Sequence, residues 1–144
     1  MKIIILGYMA SGKSTIGKEI SKKLAMNFID LDVYISEQEK RSIPEIFKIK
    51  GEIYFRKIEN KYLKELLNNE GDFVLSLGGG TPCYANNMEL IQSSKAKSIY
   101  IQASIPTLVT RLIKEKSTRP LVAGLENEKI TEFVAKHLFE RRFF

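Results

Sequence analysis

The sequence has few of the residues that build disulfides, metal clusters or membrane spans. Its single cysteine, Cys83, excludes an internal disulfide and a metal cluster built from cysteines. No apolar run approaches the ~20 residues that a membrane-spanning helix needs. The apolar run at residues 2–6 is short and leads directly into a glycine-rich turn, so it predicts a strand and not a signal peptide. Together these absences indicate a cytoplasmic protein with no membrane partner.

Positive charge is in excess but is not concentrated in one segment. The 144 residues carry a formal net charge of +6, yet the lysines are scattered among acids and form no long basic block. This distribution disfavours nucleic acid as a partner and favours small polyanions such as nucleotides and sugar phosphates. The length and the 44% hydrophobic content predict one globular domain that covers residues 1–144.

Residues 7–14 form a complete G-x-x-x-x-G-K-S motif directly after the predicted first strand. A strand, a glycine-rich turn and a helix in that order make a phosphate-binding P-loop, because backbone N–H groups and the helix N-terminus converge on an anion. Lys13 is predicted to reach the β- and γ-phosphates of a nucleotide, and the Ser14 hydroxyl to ligate Mg²⁺. The predicted nucleotide-binding residues here are Gly7, Ala10, Ser11, Gly12, Lys13, Ser14 and Thr15.

Strand and helix patterns alternate along the chain. After the P-loop, Ile16, Ile20 and Leu24 recur on one helical face, and Ser42 with Glu45 forms a capping box that starts a further helix. The alternation predicts an α/β fold in which a central parallel sheet is flanked by helices in three layers. Strands are predicted at 2–6, 28–31, 72–77 and 97–101, helices at 52–69, 106–114 and 129–139, and a loop at 115–127.

Two polar clusters follow predicted strands, at the edge where parallel sheets bind ligands. Asp30 and Asp32 end the second strand, where carboxylates at i and i+2 face the same side. One could support Mg²⁺ and the other could hold or deprotonate an acceptor hydroxyl, although a solvated strand end is an equal explanation. The triple glycine at 78–80 either lets a ligand lie against backbone N–H groups or forms a flexible connector.

Two arginines stand out by their positions on predicted helices. Glu59 falls in the apolar stripe of the 52–69 helix, and Arg56, three residues earlier, is its available partner. Such a pair holds a guanidinium rigid for a substrate carboxylate, or it is a plain surface ion pair. If the 129–139 helix continues, Arg141 points inward as an anion clamp and Arg142 points outward.

The remaining candidates lie near the predicted loop and on the last helix. Arg111 and Arg119 bracket the loop, and either could fold over a nucleotide or remain a solvated charge. His137 lies on an apolar helical face, which favours a hydrogen-bonded core residue over a catalytic one. Cys83 has no neighbour arranged to activate its thiol and is interpreted as a bystander.

In their order and spacing, these motifs resemble the shikimate kinase family, which belongs to the P-loop kinases related to nucleoside-monophosphate kinases. The resemblance covers nearly the whole chain. It rests on residues 7–14, Phe28-Ile29-Asp30-Leu31-Asp32, Ile46-Phe47, Phe55-Arg56-Lys57-Ile58-Glu59, Leu77-Gly78-Gly79-Gly80, Arg119-Pro120-Leu121 and Glu140-Arg141-Arg142. Two features depart from the family: Leu75-Ser76-Leu77 replaces an Ala-Thr type of strand, and a C-terminal strand and helix have no counterpart before Phe144.

The resemblance implies transfer of the ATP γ-phosphoryl group to the 3-hydroxyl of shikimate, in the chorismate pathway of aromatic amino acid biosynthesis, by a monomer that uses Mg²⁺. It implies catalytic roles for Lys13, Asp32 and Arg119, metal support from Ser14 and Asp30, and contact of Arg111 with adenine. A shikimate-binding helical segment is implied at about 33–61 and a lid loop, carrying Arg119, at about 113–127. The implied shikimate-binding residues are Asp32, Phe47, Phe55, Arg56, Gly78, Gly79, Gly80 and Arg141.

Three alternatives stay open on sequence alone. A gluconate or nucleoside-monophosphate kinase would place other residues after the second and third strands. A GTPase-type switch is disfavoured because the one Asn-Lys pair, in Asn60-Lys61-Tyr62-Leu63, lacks the aspartate of the guanine-binding signature. The early end of the chain also leaves room for a truncated, inactive regulator.

Overall fold

The computed structural model describes residues 1–116, 119 and 121–141. Within them, four strands form one parallel sheet in the order β2-β3-β1-β4. Each strand agrees with its predicted bounds to within one residue. All three strand pairings are parallel, so the predicted parallel sheet is confirmed. The strands are β1 (Lys2–Gly7), β2 (Asn27–Asp30), β3 (Phe73–Ser76) and β4 (Lys97–Ile101).

Seven α-helices are present in the described residues, and the three longer predicted ones are confirmed to within two residues. The capping box is confirmed as well, because the Ser42 hydroxyl accepts from the Glu45 N–H and the Glu45 carboxylate accepts from the Ser42 N–H. The helices are α1 (Lys13–Leu24), α2 (Leu31–Glu39), α3 (Ile43–Lys50), α4 (Glu52–Asn68), α5 (Asn87–Ser93), α6 (Ile105–Glu115) and α7 (Asn127–Arg141), with a 3₁₀ turn at Thr81–Cys83.

Helices cover both faces of the sheet, which gives the predicted three layers. Ile4 and Leu6 of β1 face a core shared with α2, α3, α4 and α5, while Ile3 and Ile5 face the α1 side. Burying one such side chain stabilises the fold by ~1.5–3 kcal/mol. A third cluster joins α6 and α7 to the start of the P-loop. The strand that carries the P-loop is therefore fixed from both sides.

The prediction for the buried face of α1 is correct only for Ile20, which is partly buried and packs against the core on that side of the sheet. Ile16 and Leu24 are exposed, and the buried positions are Lys13, Gly17 and Ser21. Gly17 lies so close to the sheet that a Cβ there would come within 2.6 Å of the Phe28 ring. Small residues thus seat the helix against the sheet, and this close seating buries Lys13 within the site.

The predicted loop at 115–127 agrees with the end of α6 and the start of α7, but residues 113–115 of the predicted lid belong to α6. Residues 117, 118 and 120 of that loop, and the predicted outward direction of Arg142, lie outside the described residues. The predicted extent of the domain, residues 1–144, stays a prediction. Across the described chain, no helix combines the length and apolarity of a membrane span.

Candidate active site

The P-loop is shaped by left-handed backbone at Ala10 (φ 62°) and Gly12 (φ 96°). The Ser11 N–H donates to the Tyr8 carbonyl at 3.1 Å, which closes the turn. Gly12 is the N-cap of α1, so the positive end of this helix faces the loop. The predicted phosphate-binding turn and its helix are therefore both present.

Lys13 is buried and folds back over the loop. Its side chain is 8% exposed, and its Nζ donates to the Tyr8 carbonyl at 2.8 Å. Burial, and after it the positive charge of Arg119, lower the pKa of Lys13 to about 8. The ammonium is thus costly in the free protein, and a polyphosphate at this place would relieve that cost.

Asp30 and Asp32 both line the site, but the predicted reason is wrong. Asp30 ends β2 and caps α2, because its Oδ1 accepts from the N–H groups of Asp32 and Val33 at 3.0 and 3.2 Å. Its Oδ2 accepts from the Ser14 hydroxyl at 2.8 Å. Asp32 therefore stands in the first turn of a helix, and the helix, not strand alternation, turns its carboxylate inward.

Two adjacent cavities lie beyond the carboxyl ends of the strands. The larger, of about 650 Å³, is lined by the P-loop together with Asp30 and Arg111. The smaller, of about 290 Å³, is lined by apolar side chains, by the Arg56–Glu59 neighbours and by two further arginines, Arg119 and Arg141. Four residues are shared by the linings of the two cavities: Asp32, Gly78, Gly79 and Arg119. These four residues mark the junction, where a group can pass from one cavity to the other.

The partly buried Asp32 carboxyl is the main titratable group at this junction. Burial, then the negative charges of Asp30 and Glu59, raise its pKa to about 6. The carboxylate lies beside Gly78, where a Cβ would come within 3.1 Å of Oδ1. A carboxyl group with a pKa near neutrality is suited to accept a proton from a bound hydroxyl.

Arg56 forms the predicted ion pair with Glu59, and the pair is buried. Arg56 Nη1 donates to Glu59 Oε1 at 3.0 Å, and the Glu59 side chain is 1% exposed. Burial raises the pKa of Glu59, while the Arg56 charge opposes that rise. The alternative of a plain surface ion pair is therefore excluded.

Arg141 points inward, as predicted from the continuation of α7. Its Nη1 donates to the Gly79 carbonyl at 3.1 Å. A Cβ on Gly80 would lie 2.9 Å from Arg56 Nη2 and 3.1 Å from Arg141 Nη2. Two guanidinium groups thus converge over Gly80, and because the Glu59 carboxylate offsets only one of them, this part of the smaller cavity keeps a net positive charge.

Two further arginines, Arg111 and Arg119, lie beside the larger cavity. Arg111 Nη1 donates to the Ala10 carbonyl at 2.9 Å and so braces the P-loop, although much of this side chain is exposed. Arg119 donates from Nε and Nη2 to Glu115 Oε2 at 2.9 and 2.7 Å. Both side chains have fixed partners and lie beside the larger cavity, which disfavours the alternative of solvated loop charge.

Phe47 and Phe55 form an apolar wall of the smaller cavity. Their ring centroids are 4.8 Å apart and the ring planes are tilted by 38°. Phe55 is 3% exposed, so the wall is anchored in the main core. A flat apolar surface opposite two arginines suits a small carbocyclic or aromatic acid.

His137 takes part in a structural hydrogen bond. It is half-buried, and the Tyr8 hydroxyl lies 2.9 Å from its Nδ1. Burial raises the pKa of Tyr8 to about 12 and lowers the pKa of His137, so a protonated phenol donates to a neutral imidazole. The predicted hydrogen-bonded role of His137 is confirmed, although the residue lies at the edge of the core and not within it.

Sequence reasoning missed three residues of this region. Met9 lines the smaller cavity, Thr81 donates to Glu59 Oε2 at 2.8 Å, and the Tyr84 ring centroid lies 3.8 Å from Arg56 Cζ. The available signal was the position of Thr81 and Tyr84 directly after the triple glycine. No spacing rule connects them with Arg56, because the contact forms only when the turn packs on α4.

A P-loop beside a second, arginine-lined cavity defines the class of protein: a P-loop kinase that acts on a small molecule. Comparison with known proteins identifies the family. The sequence model of the shikimate kinase family matches residues 9–142. The chain belongs to the shikimate kinase family, whose members are ATP-dependent kinases.

Individual relatives agree with this assignment. A shikimate kinase from Flavobacterium johnsoniae is 50% identical over 143 residues, which cover 99% of this chain and 83% of that protein. The structure of a shikimate kinase from Bacteroides thetaiotaomicron matches with a TM-score of 0.91 at 36% identity, covering 100% of this chain and 81% of that one.

A third match has a ligand. The shikimate kinase of Acinetobacter baumannii, solved in complex with shikimate, matches with a TM-score of 0.85 at 29% identity and covers 96% of this chain and 76% of that one. Membership of the family decides against the gluconate kinase, nucleoside-monophosphate kinase and GTPase alternatives.

Proposed function

We propose that this chain transfers the γ-phosphoryl group of ATP to the 3-hydroxyl of shikimate, giving shikimate 3-phosphate and ADP in the chorismate pathway. The observation that carries the proposal is the smaller cavity. Arg56 and Arg141 converge at one end, and Asp32 stands at the other, beside the P-loop. A small hydroxy acid that spans this cavity places its carboxylate on the arginines and a hydroxyl on Asp32.

On the acceptor side, Phe47 and Phe55 are proposed to contact the ring of shikimate. The backbone of the triple glycine leaves room for the ligand between this wall and the two arginines. The proposed shikimate-binding residues are Asp32, Phe47, Phe55, Arg56, Gly78, Gly79, Gly80 and Arg141. The bound shikimate in the Acinetobacter relative supports the choice of this acid.

On the nucleotide side, the N–H groups of the P-loop are proposed to bind the ATP phosphates, with Lys13 at the β- and γ-phosphates. Arg111, which already braces Ala10, is proposed to contact the adenine end. Arg119 lines both cavities and is proposed to neutralise charge on the transferred group. The proposed phosphate-binding residues are Gly7, Ala10, Ser11, Gly12, Lys13, Ser14 and Thr15.

Mg²⁺ is proposed to bind beside the phosphates at Ser14 and Asp30. The hydroxyl of Ser14 and the carboxylate of Asp30 are 2.8 Å apart, and both are hard oxygen donors of the kind that Mg²⁺ prefers. In the described residues, no three His, Cys, Asp or Glu side chains group together to hold an ion by themselves. Phosphate oxygens and water would supply the remaining ligands. When bound, the ion neutralises charge on the β- and γ-phosphate oxygens.

The residues at the junction are proposed to carry out the transfer. Asp32 holds the acceptor hydroxyl and takes its proton as the oxygen forms a bond to the γ-phosphorus. The bond from that phosphorus to the bridging oxygen breaks at the same time, and ADP leaves with the electron pair. Lys13 and Arg119 neutralise the charge on the phosphoryl oxygens, which is the larger part of catalysis in this class of reaction.

The test is ADP release from Mg·ATP with a panel of acceptors. Shikimate should support turnover, and gluconate and nucleoside monophosphates should not. Gluconate is an open chain with no ring to lie against Phe47 and Phe55, and nucleoside monophosphates have no carboxylate for Arg56 and Arg141. Turnover with gluconate but not with shikimate would overturn the proposal. The proposed enzyme is a cytoplasmic monomer, and a dimer on size-exclusion chromatography would correct that part alone.

The pH dependence of kcat/KM is expected to be bell-shaped. Asp32 must be ionised to accept a proton, and its raised pKa of about 6 predicts a loss of about tenfold per pH unit below that value. Lys13 must be protonated, and its lowered pKa of about 8 predicts a second loss above that pH. Steady-state rates at low substrate over pH 4–10 measure both limbs. An acid limb near the ordinary aspartate pKa would contradict the role of Asp32.

The Gly80→Ala variant should fold but bind shikimate poorly. Gly80 has an ordinary helical conformation (φ −97°, ψ −10°), so alanine is compatible with the backbone. The added Cβ would push apart the guanidinium groups of Arg56 and Arg141, and such misplacement should raise the shikimate KM by about 10–100-fold. The KM for Mg·ATP and the thermal midpoint should stay the same. An unchanged shikimate KM would mean that the acid does not bind between these arginines.

A further inference from the structure

The turn that follows the triple glycine supports Arg56 from two directions. We propose that Thr81 and Tyr84 are positioning residues for the acceptor-binding arginine: Thr81 acts through Glu59, and Tyr84 acts on the face of the guanidinium group. The inference rests on the proposed role of Arg56 in shikimate binding. The smaller cavity is lined by Arg56 and Glu59 themselves, and the two supporting side chains stand behind them.

Thr81 fixes the far side of the Glu59 carboxylate. Its hydroxyl, on a residue that is 0% exposed, donates to Glu59 Oε2 at 2.8 Å. The other oxygen, Oε1, accepts from Arg56 Nη1 at 3.0 Å. A buried carboxylate that is held at both oxygens cannot rotate, so the guanidinium that it holds keeps one orientation.

Thr81 is itself held by contacts that do not involve its hydroxyl. Its N–H donates to the Gly78 carbonyl at 3.2 Å, and its carbonyl accepts from Asn87 Nδ2 at 2.8 Å. Asn87 is 0% exposed, and its Oδ1 accepts from Asn60 Nδ2 at 2.8 Å. Removing the hydroxyl therefore changes the support of Glu59 and leaves the turn in place.

Tyr84 supports the guanidinium through its face. The Tyr84 ring centroid lies 3.8 Å from Arg56 Cζ, the closest approach of a cation to a ring in the described residues. Stacking on an aromatic ring orients a guanidinium while leaving the N–H groups at its edge free to bind. Glu59 occupies one edge, so the edge over Gly80 remains directed at the cavity. Together with the Glu52 carboxylate, 3.7 Å from Nε, the two supports restrict the plane and the rotation of the guanidinium group.

The first test is Thr81→Val, which removes the hydroxyl and preserves the shape of the side chain. We expect the shikimate KM to rise about tenfold, since a hydrogen bond to a charged group is lost. The KM for Mg·ATP and kcat should stay within about twofold of wild type, because the nucleotide cavity is untouched. The matched control is Thr81→Ser, which keeps the hydroxyl and should restore the shikimate KM.

The effect should also depend on Glu59. In a Glu59→Gln background, Thr81→Val should change the shikimate KM much less than in the wild type, because both changes act on one contact chain. If the effects of the two substitutions on the shikimate KM are additive, Thr81 does not act on Arg56 through Glu59. An unchanged shikimate KM in Thr81→Val, or a Thr81→Ser variant as impaired as the valine, would overturn its positioning role.

The second test is Tyr84→Leu with Tyr84→Phe as control, and it stands even if Thr81→Val fails to fold. Leucine removes the ring and should raise the shikimate KM about fivefold, whereas phenylalanine keeps the ring face and should not. An equal shikimate KM in Tyr84→Leu and Tyr84→Phe would overturn the role of the ring. If the wild type phosphorylates shikimate and neither Thr81→Val nor Tyr84→Leu changes the KM, only this inference fails. If the wild type does not use shikimate, the proposed function fails and the inference with it.

Discussion

The Asp32→Asn variant should bind Mg·ATP normally and turn over shikimate about 10²–10⁴-fold more slowly than the wild type, the range lost with a general base. Asp32 stands at the junction of the two cavities, and partial burial and neighbouring carboxylates raise its pKa to about 6. The amide of asparagine has nearly the same shape but cannot accept a proton. Single-turnover phosphoryl transfer and nucleotide binding, measured separately, check the two parts of this result.

The same variant should be more stable than the wild type near neutral pH. The folded protein raises the pKa of Asp32, so its contribution to stability is present below the unfolded value and is lost as the pH rises through about 6. At pH 7 the ionised carboxylate therefore opposes folding, and a neutral amide does not. The thermal midpoint of Asp32→Asn should exceed that of the wild type at pH 7, and the two should converge below about pH 4.

A matched control is Asp72→Asn. It changes an exposed aspartate directly before β3, at the edge of the sheet away from the two cavities. It should leave turnover unchanged. Normal turnover in Asp32→Asn would rule out both holding and deprotonation of the acceptor by Asp32. Loss of Mg·ATP binding in that variant would instead assign Asp32 to the nucleotide site.

Features with a local signal were predictable from the sequence. The P-loop is a fixed motif, the helix at Ile43 begins with a capping box, and α4 repeats apolar residues around Glu59. In each case, all the residues that specify the feature lie within a few turns of one another. The direction of Arg141 followed from the same rule, because α7 continues without a break.

Features set by tertiary contact were not predictable. The start of helix α2 was missed, although the implied helical segment at about 33–61 covers the rest of it, because apolar residues run through Leu31 and the signal that ends the strand is the Asp30 side chain capping two N–H groups. The buried face of α1 was missed because hydrophobic periodicity favours Ile16, while close packing selects Gly17. The support of Arg56 by Tyr84 depends on how a turn docks on a helix, and no pattern in either segment specifies that docking.

The Arg56→Ala variant should lose shikimate binding and keep Mg·ATP binding. Arg56 is one of two arginines that converge over Gly80, and removing a buried, hydrogen-bonded charge partner weakens binding by about 100-fold or more. Arg56→Lys should also be impaired, because an ammonium group cannot donate two parallel hydrogen bonds to a carboxylate. Calorimetric titrations with shikimate, in the presence and absence of nucleotide, measure the affinity for shikimate. A separate titration with Mg·ATP measures the affinity for the nucleotide. Normal shikimate affinity in Arg56→Ala would exclude the carboxylate clamp.

Loss of stability must be separated from loss of binding, because Arg56→Ala leaves Glu59 without its partner. Glu59 is 1% exposed, and a buried charge that loses its partner destabilises the fold by about 3–5 kcal/mol. Burial raises the pKa of Glu59 and Arg56 opposes that rise, so the single variant should be least stable above the raised pKa and recover as the pH falls and Glu59 protonates. The double variant Arg56→Ala/Glu59→Gln removes the unpaired charge and should regain the thermal midpoint without regaining shikimate affinity. A double variant that recovers both would show that Arg56 holds the fold and not the substrate.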